Sequence, residues 1–245
     1  MDVTLPNAEG SACIEMLFAH LPDYPARIRA AHAAGYAGIE FWGWRAKDLD
    51  AIAAALHDTG LTVAGFVADP MLSLTDPANH AAFLAALPAS IATAQRLGAP
   101  FLYIQAGKLV PDTPRATMTA ALIAALTAAA DLLQGTGITL LLEPVSNAKG
   151  GFLTHAAEGL TLIATVNRPE IRLLYDLYHA AVADEDTATT IGPHMPLIGH
   201  IHVADHPGRV APGLGLLNLD RDLAWIRAQG YTGLFGLEYL PVAAQ

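Results

Sequence analysis

Short apolar segments alternate along the chain with longer, Ala-rich segments that have the residue spacing of helices. The short segments are apolar at nearly every position, which is typical of parallel strands that are buried on both faces. The pattern predicts eight strands, at residues 12–16, 38–41, 62–66, 101–104, 138–142, 171–175, 197–203 and 234–237.

The Ala-rich segments predict a helix between most pairs of strands. The segment 114–134 illustrates the signals, because it begins with Pro114 and is followed by Gly135. A helix at 187–194 is only weakly indicated, since Gly192 and Pro193 interrupt it. The other predicted helices are 23–34, 47–59, 79–97, 155–166 and 219–228.

This order of elements indicates an α/β protein. Eight strand–helix units in 245 residues fit a single (β/α)8 TIM barrel over residues 1–245. The alternative is an open, doubly wound sheet, which favours a G-x-G-x-x-G phosphate-binding turn after the first strand. No such turn occurs at that place, so the sequence predicts the closed barrel.

Composition narrows the range of functions. Hydrophobic residues make up 53% of the chain and charged residues 15%, which is typical of a globular protein. The formal net charge of −10 disfavours a nucleic-acid partner. The N-terminus has no signal-peptide pattern, and no apolar run approaches the roughly 20 residues of a membrane span. We therefore expect a cytoplasmic protein with no membrane partner. Such barrels commonly self-associate, but the sequence leaves a homo-oligomer as an open alternative. Cys13, the one cysteine, is expected to be a small core residue, so any metal ion must be held by Asp, Glu and His.

Four residues with metal-ligating side chains stand at or near the ends of the last four strands. They are spaced about one strand–helix unit apart, and the carboxyl ends of barrel strands converge on one rim. Three carboxylates and one imidazole suit a divalent ion such as Mn²⁺, Mg²⁺ or Co²⁺. The four predicted ligands are Glu143, Asp176, His202 and Glu238.

The motifs around these residues resemble those of the hydroxypyruvate isomerase family, within the xylose isomerase-like superfamily of TIM barrels. The similarity runs from about residue 12 to residue 241. The most specific pieces are Tyr-Asp-x-Tyr-His at 175–179 and His-x-x-x-Ala-Asp-x-Pro-Gly-Arg at 200–209. Less specific pieces are Gly-Ile-Glu-Phe-Trp at 38–42, Leu-Leu-Glu-Pro-Val-Ser-Asn at 141–147 and Gly-Leu-Glu-Tyr at 236–239.

The resemblance implies roles for individual residues. Glu143, Asp176 and Glu238 match the carboxylate ligands of the family, and Glu143 and Glu238 also match its acid/base pair. His179 and Arg209 match substrate-binding positions. His202 departs from the pattern, because hydroxypyruvate isomerases typically have Gln at this place and the related ketose 3-epimerases have His.

Two further departures concern loops. Leu216 and Leu217 follow the Gly-x-Gly motif where an acidic residue is usual, and Lys149 stands where the epimerases tend to have Glu. Two more residues near early strand ends are candidates for substrate contact. Lys108 follows the fourth strand and could supply a second cation. Glu40 lies near the end of the second strand and is a candidate polar contact, although a structural hydrogen-bonding role is favoured over ligation.

Together these features predict a metal-dependent isomerase of a small hydroxy-carbonyl compound that acts through an enediolate. The expected substrate is hydroxypyruvate (isomerised to tartronate semialdehyde) or a related keto acid such as 2-oxo-tetronate. The alternatives are a ketose 3-epimerase, a keto-sugar or inosose isomerase, and a sugar-binding barrel without catalytic activity. An endonuclease of the same superfamily is disfavoured, because that chemistry needs several zinc ions and a basic surface.

Overall fold

The computed structural model describes residues 5–146 and 150–241. Eight parallel strands form a closed barrel in which each strand pairs with its neighbours in sequence, and the last strand pairs with the first. The fold predicted from the sequence is therefore confirmed. The strands are β1 Gly10–Cys13, β2 Gly38–Phe41, β3 Thr62–Val67, β4 Phe101–Gln105, β5 Thr139–Glu143, β6 Ile171–Asp176, β7 Ile198–Val203 and β8 Phe235–Leu237.

Helices connect successive strands on the outside of the barrel. They are α1 Tyr24–Ala33, α2 Leu49–Thr59, α3 His80–Leu97, α4 Arg115–Leu133, α5 Ala156–Val166, α6 Leu177–Val182, α7 Thr187–Ile191 and α8 Leu219–Ala228. Asp23 and Asp48 cap α1 and α2 by accepting hydrogen bonds from backbone N–H groups of the first turn. Gly60 ends α2 in the left-handed region, with a φ of 72°, which explains why glycine marks this end.

Two segments differ from the predicted elements. The first strand was predicted at 12–16, but the chain leaves the sheet after Cys13 and turns, with the N–H of Met16 donating to the carbonyl of Cys13. Between β6 and β7, the sequence indicated one weak helix at 187–194. The structure instead has α6 and α7, followed by a 3₁₀ helix over Gly192–Leu197. Proline at 193 and 196 is compatible with this short, irregular connection.

Helix α4 corrects one expectation from the sequence. No apolar run of membrane-spanning length was expected from the sequence, whereas α4 has 19 residues and, by length and composition alone, is apolar enough to cross a membrane. It nevertheless packs on the barrel and buries one face. That face includes Met118, Leu122, Leu126 and Leu133, so α4 has the packing of a core helix.

Buried apolar side chains form two clusters. The large apolar cluster lies between strands and helices, whereas a small cluster of Tyr103, Leu141 and Leu174 lies apart from it. Polar side chains from β1, β2 and β7 are also fully buried, at Ser11, Glu40, His200 and His202. Gly236 on β8 leaves room for them, because a Cβ atom at this position would collide with His202 and Glu40. The sequence therefore builds part of the barrel interior from polar groups.

Candidate active site

The four predicted metal ligands come together at the carboxyl ends of the strands. Glu143 and Asp176 are the last residues of β5 and β6, His202 lies in β7, and Glu238 directly follows β8. The register between β6 and β7 contributes to this convergence, since it places Asp176 opposite His202. One ligand atom from each of the four residues lies within 4.8 Å of the corresponding atoms of the others. This spacing is suitable for enclosing one cation.

His202 presents one ring nitrogen to the three carboxylates. Its Nδ1 atom lies 3.2 Å from Oε2 of Glu238 and 3.8 Å from Oε1 of Glu143. This nitrogen is buried and has no hydrogen-bond partner among the described residues. Burial lowers the pKa of His202, but Glu40 and Glu238 raise it, and the resulting pKa lies well above its usual value. A cation that binds here must therefore displace a proton.

Glu238 is the most heavily contacted of the three carboxylates in the cluster. Its Oε1 accepts a 2.8 Å hydrogen bond from the indole Nε1 of Trp42 and a weaker 3.5 Å contact from Sγ of Cys13. Its Oε2 accepts a 2.5 Å bond from Nη2 of Arg209. Burial raises the pKa of Glu238, but attraction to His202 and Arg209 outweighs burial and lowers it. Glu238 is therefore held in its charged form.

Glu143 is in the opposite electrostatic situation. Burial, together with the charge of Glu238, raises the pKa of Glu143 to about 7. Its Oε2 accepts one 3.3 Å hydrogen bond from Nε2 of Gln105, the residue paired with it across β4 and β5. The site thus contains two carboxylates with pKa values displaced in opposite directions, an arrangement that is typical of acid/base centres.

Asp176 has two structural tasks. Its Oδ1 caps α6 by accepting hydrogen bonds from the backbone N–H groups of Tyr178 and His179. Its Oδ2 faces the cluster and lies 3.4 Å from Nη2 of Arg209 and 3.7 Å from Nε2 of His179. Because one oxygen is committed to the helix cap, the orientation of the other is fixed.

His179 sits beside Asp176 at the start of α6 and is 4% exposed. Its Nδ1 atom lies 3.3 Å from the Oγ atom of Ser146, which orients the ring. Burial lowers the pKa of His179 below its usual value, even though the charge of Asp176 acts in the other direction. His179 is therefore a neutral hydrogen-bonding group at the edge of the cluster at neutral pH.

Arg209 reaches the cluster from the loop between β7 and α8. Asp205, which is fully buried, holds this loop by accepting hydrogen bonds from the backbone N–H groups of His206, Gly213 and Leu217. The guanidinium bonds to Glu238 and approaches Asp176, so it lies directly over the predicted metal ligands. The exposed Leu216 lies in the same loop, and Lys149 lies outside the described residues.

The two remaining predicted contact residues differ in position, because Glu40 is among the residues that line the cavity above the cluster and Lys108 is not. Glu40 is 2% exposed, and its two oxygens are bonded within the barrel to Ser11, Tyr103, His200 and His202, which leaves it no free acceptor for a substrate. Lys108 is exposed in the loop after β4, where its backbone bonds to Ser73 and Thr75. It is not among the described residues that line the cavity. Glu40 thus makes the structural hydrogen bonds that the sequence favoured for it, whereas Lys108 lies outside the described lining of the cavity.

A cavity of about 320 Å³ lies above the cluster. Glu143, Glu238, His202 and Glu40 line it together with residues that were not predicted to be catalytic, metal-binding or substrate-binding, including Cys13, Trp42, Tyr103 and Gln105. Cys13 is buried as expected, yet it faces the site, and burial and the neighbouring carboxylates raise the pKa of its thiol. The position of Gln105 at a strand end, level with Glu143, is the signal that could have identified it.

Comparisons with known proteins agree with this architecture. The family model for xylose isomerase-like TIM barrels matches residues 28–244. A putative hydroxypyruvate isomerase of Homo sapiens is 30% identical, covering 94% of this chain and 89% of that protein. A 2-oxo-tetronate isomerase of Cupriavidus necator is 28% identical, covering 89% and 87%. A crystal structure of an AP endonuclease, family 2, from Brucella melitensis superimposes with a TM-score of 0.87 at 28% identity, covering 94% and 92%.

The chain belongs to the xylose isomerase-like TIM-barrel family. The resemblance to hydroxypyruvate isomerases inferred from the sequence motifs is confirmed, and so is the expectation of an isomerase-class enzyme.

Proposed function

We propose that this protein is a divalent-metal-dependent isomerase of a small keto acid, either hydroxypyruvate or a homologue such as 2-oxo-tetronate. The observation that carries the proposal is the convergence of Glu143, Asp176, His202 and Glu238 beneath a small cavity. The names of the relatives support the substrate class. A cavity of about 320 Å³ is at the lower end for ligand pockets and suits a molecule of a few carbons.

The residues present fit a divalent cation. Three carboxylates supply hard oxygen ligands, and the buried Nδ1 of His202 is a nitrogen ligand with no hydrogen-bond partner among the described residues. This donor set favours Mn²⁺, Mg²⁺ or Co²⁺ over ions that prefer thiolates. When bound, the cation would supply electrostatic stabilisation of the negative charge that develops on the substrate oxygens.

Glu143 and Glu238 would carry the proton transfers. Moving a carbonyl between adjacent carbons requires removal of a proton from the carbon next to the carbonyl group, which yields an enediolate. Glu143 has a pKa near 7, so it can accept and return a proton at neutral pH. Glu238 is held in its charged form by Arg209 and His202 and faces the same space, so it is the second acid/base group.

Arg209 and His179 would bind and orient the substrate. The guanidinium of Arg209 is a suitable partner for a carboxylate, because it offers paired N–H donors. It lies at the edge of the cluster, and His179 stands beside it as a neutral hydrogen-bonding group. A keto acid that presents its carboxylate to Arg209 would place its carbonyl and hydroxyl groups toward the four predicted ligands.

A ketose 3-epimerase is the second candidate, and one observation favours it. His202 occupies the fourth ligand position, where the resemblance associates histidine with the epimerases and glutamine with the hydroxypyruvate isomerases. Proton delivery by a second carboxylate from the opposite face of an enediolate would invert a stereocentre instead of shifting the carbonyl. Glu143 and Glu238, on β5 and after β8, offer two such carboxylates.

A substrate panel distinguishes these functions. Purified protein is stripped of metal, supplied with Mn²⁺, Mg²⁺ or Co²⁺, and assayed with hydroxypyruvate, 2-oxo-tetronate, fructose and inosose. Metal-dependent turnover of the keto acids supports the proposal. Turnover of ketohexoses without turnover of keto acids would replace it with the epimerase. Sugar binding without turnover of any compound would indicate a binding protein.

A further inference from the structure

Glu40 lies below the site, and its carboxylate is the centre of a buried hydrogen-bond network. Its Oε1 accepts from the hydroxyl of Ser11 and lies 2.9 Å from Nε2 of His200. Its Oε2 accepts a 3.1 Å bond from the hydroxyl of Tyr103 and lies 2.7 Å from Nε2 of His202. The four neighbours occupy all the acceptor positions of the carboxylate.

This saturation decides between two roles for Glu40. Together with His200 and His202, its oxygens have the donor types and the spacing of a metal site. The contacts, however, have the lengths of direct hydrogen bonds, and Ser11 and Tyr103 complete them, so no acceptor position is left for a cation. Gly236 on β8 leaves space for the network, since a Cβ atom at this position would overlap the side chains of the network.

The network determines which nitrogen of His202 can bind a metal ion. A carboxylate only accepts hydrogen bonds, so a short contact between Oε2 of Glu40 and Nε2 of His202 requires a proton on Nε2. The other nitrogen, Nδ1, faces Glu143 and Glu238. Carboxylate partners of this kind fix the ring orientation of metal-binding histidines and increase their basicity.

We propose that Glu40 is a positioning residue that holds the His202 ring so that Nδ1 is the metal-binding nitrogen. This inference rests on the proposed metal site and adds a residue whose carboxylate bonds to the ligand His202 and not to the cation itself. Glu40 acts through His202, and its effect should therefore appear first in metal affinity. His200 satisfies the other oxygen of the same carboxylate and, in this network, has no direct role at the cation.

The first test measures Mn²⁺ binding to metal-free protein by calorimetry. Glu40→Gln places an amide between the two imidazoles, and an amide has only one acceptor oxygen. Glu40→Asp keeps both acceptor oxygens but withdraws them from the rings. We expect each change to weaken Mn²⁺ binding by about 10–100-fold, the usual cost of losing such a partner. Ser11→Ala is the control, because it removes a donor from Oε1 and leaves the His202 contact intact.

The outcomes separate this inference from the proposed function. If the unaltered protein binds no Mn²⁺, the proposed metal site is wrong. If the unaltered protein binds Mn²⁺ and both Glu40 variants bind it as tightly as Ser11→Ala does, only the positioning role is wrong. Folding of each variant is checked by circular dichroism and thermal melting.

A second test needs no Glu40 variant. Nitrogen-15 NMR of histidine side chains in the Mg²⁺-loaded protein, with His202→Asn used for assignment, reports which ring nitrogen carries the proton. We expect a hydrogen-bonded proton on Nε2 and none on Nδ1. A proton on Nδ1 with Mg²⁺ bound would overturn the inference, whatever the behaviour of the variants.

Discussion

Two histidines on β7 show how the two ends of the barrel differ. His200 and His202 are two residues apart, both are buried, and each directs Nε2 to one oxygen of Glu40. Their other nitrogens differ in surroundings. Nδ1 of His202 faces Glu143 and Glu238, whereas Nδ1 of His200 lies 3.3 Å from the hydroxyl of Tyr231. Two residues along one strand therefore separate a proposed ligand position from a packing position.

The cavities at the two ends differ in the same way. The cavity at the amino ends of the strands is the larger, at about 760 Å³, and His200 lines it. Among the described residues, no Asp, Glu, Lys or Arg lines this cavity. The smaller cavity, of about 320 Å³, contains Glu143, Glu238 and Arg209. Converging charged groups, and not volume, distinguish the proposed catalytic end, which is the end that usually carries the active site in TIM barrels.

The largest expected effect comes from the two acid/base candidates at the catalytic end. Glu143→Gln and Glu238→Gln each keep the side-chain shape but cannot accept a proton. We expect kcat with hydroxypyruvate to fall by about 10²–10⁴-fold in each variant, measured at saturating Mn²⁺. Near-normal turnover in both metal-loaded variants would show that these carboxylates do not transfer the proton.

The two histidines provide the sharpest test of the comparison. His202→Asn removes a predicted ligand and should weaken Mn²⁺ binding by more than the roughly 10–100-fold that loss of an outer partner costs. His200→Asn changes the same network at the other oxygen of Glu40 and should mainly lower the melting temperature. Calorimetry and thermal melting of both variants measure the difference. Equal losses of Mn²⁺ affinity would show that the two ends are not functionally distinct.

The raised pKa of Glu143 predicts that metal binding depends on pH. Its raised pKa means that the metal-free folded protein binds this proton more tightly than the unfolded chain does. The resulting stabilisation is present at pH values below the ordinary carboxyl pKa and is lost as the pH rises toward 7. A cation must displace the same proton, so its affinity should fall by about one additional factor of ten per pH unit below 7.

Calorimetric titration with Mn²⁺ between pH 5.5 and 8.5 measures this dependence. His202 contributes its own proton over a wide range, because its pKa is raised well above the usual value. The steepening near pH 7 therefore belongs to Glu143 and should be absent in Glu143→Gln. A wild-type slope without any change near pH 7 would show that this carboxyl titrates elsewhere.

The sequence predicted the barrel well because its strands are apolar throughout and its helices carry clear end signals. β2 and α8 lie where the pattern placed them, and most other boundaries differ by one or two residues. The connection between β6 and β7 was less predictable. The carboxylate of Asp176 caps α6 and also belongs to the four-residue cluster. The residue at the predicted end of a strand is therefore also the residue at which a helix starts.

The four-residue cluster was predictable because its members recur at strand ends, and this spacing brings them to one rim. The hydrogen bonds that support this cluster could not be predicted from the sequence, because they depend on pairing between distant strands. A structural hydrogen bond was favoured for Glu40, but its partners, His200 and His202, could not be identified from the sequence. Cys13 and Trp42 contact Glu238 across 225 and 196 residues of sequence, respectively, a separation that periodicity cannot bridge.

The smallest expected effect concerns the two cationic side chains, Arg209 and Lys108, that the sequence predicted to bind the substrate. Arg209 lies over the cluster, whereas Lys108 is exposed in the loop after β4 and is not among the described residues lining the cavity. Loss of a hydrogen bond to a charged group costs about 1.5–3 kcal/mol, so Arg209→Gln should raise KM for hydroxypyruvate by about 10–100-fold.

Lys108→Gln, the matched change at the other cation, should leave KM and kcat within about twofold of wild type, because a solvated charge away from the cavity contributes little. Steady-state kinetics of both variants at 0.15 M salt measure the contrast. A rise in KM for Lys108→Gln as large as that for Arg209→Gln would mean that the loop after β4 closes over the substrate and brings a second cation to its carboxylate.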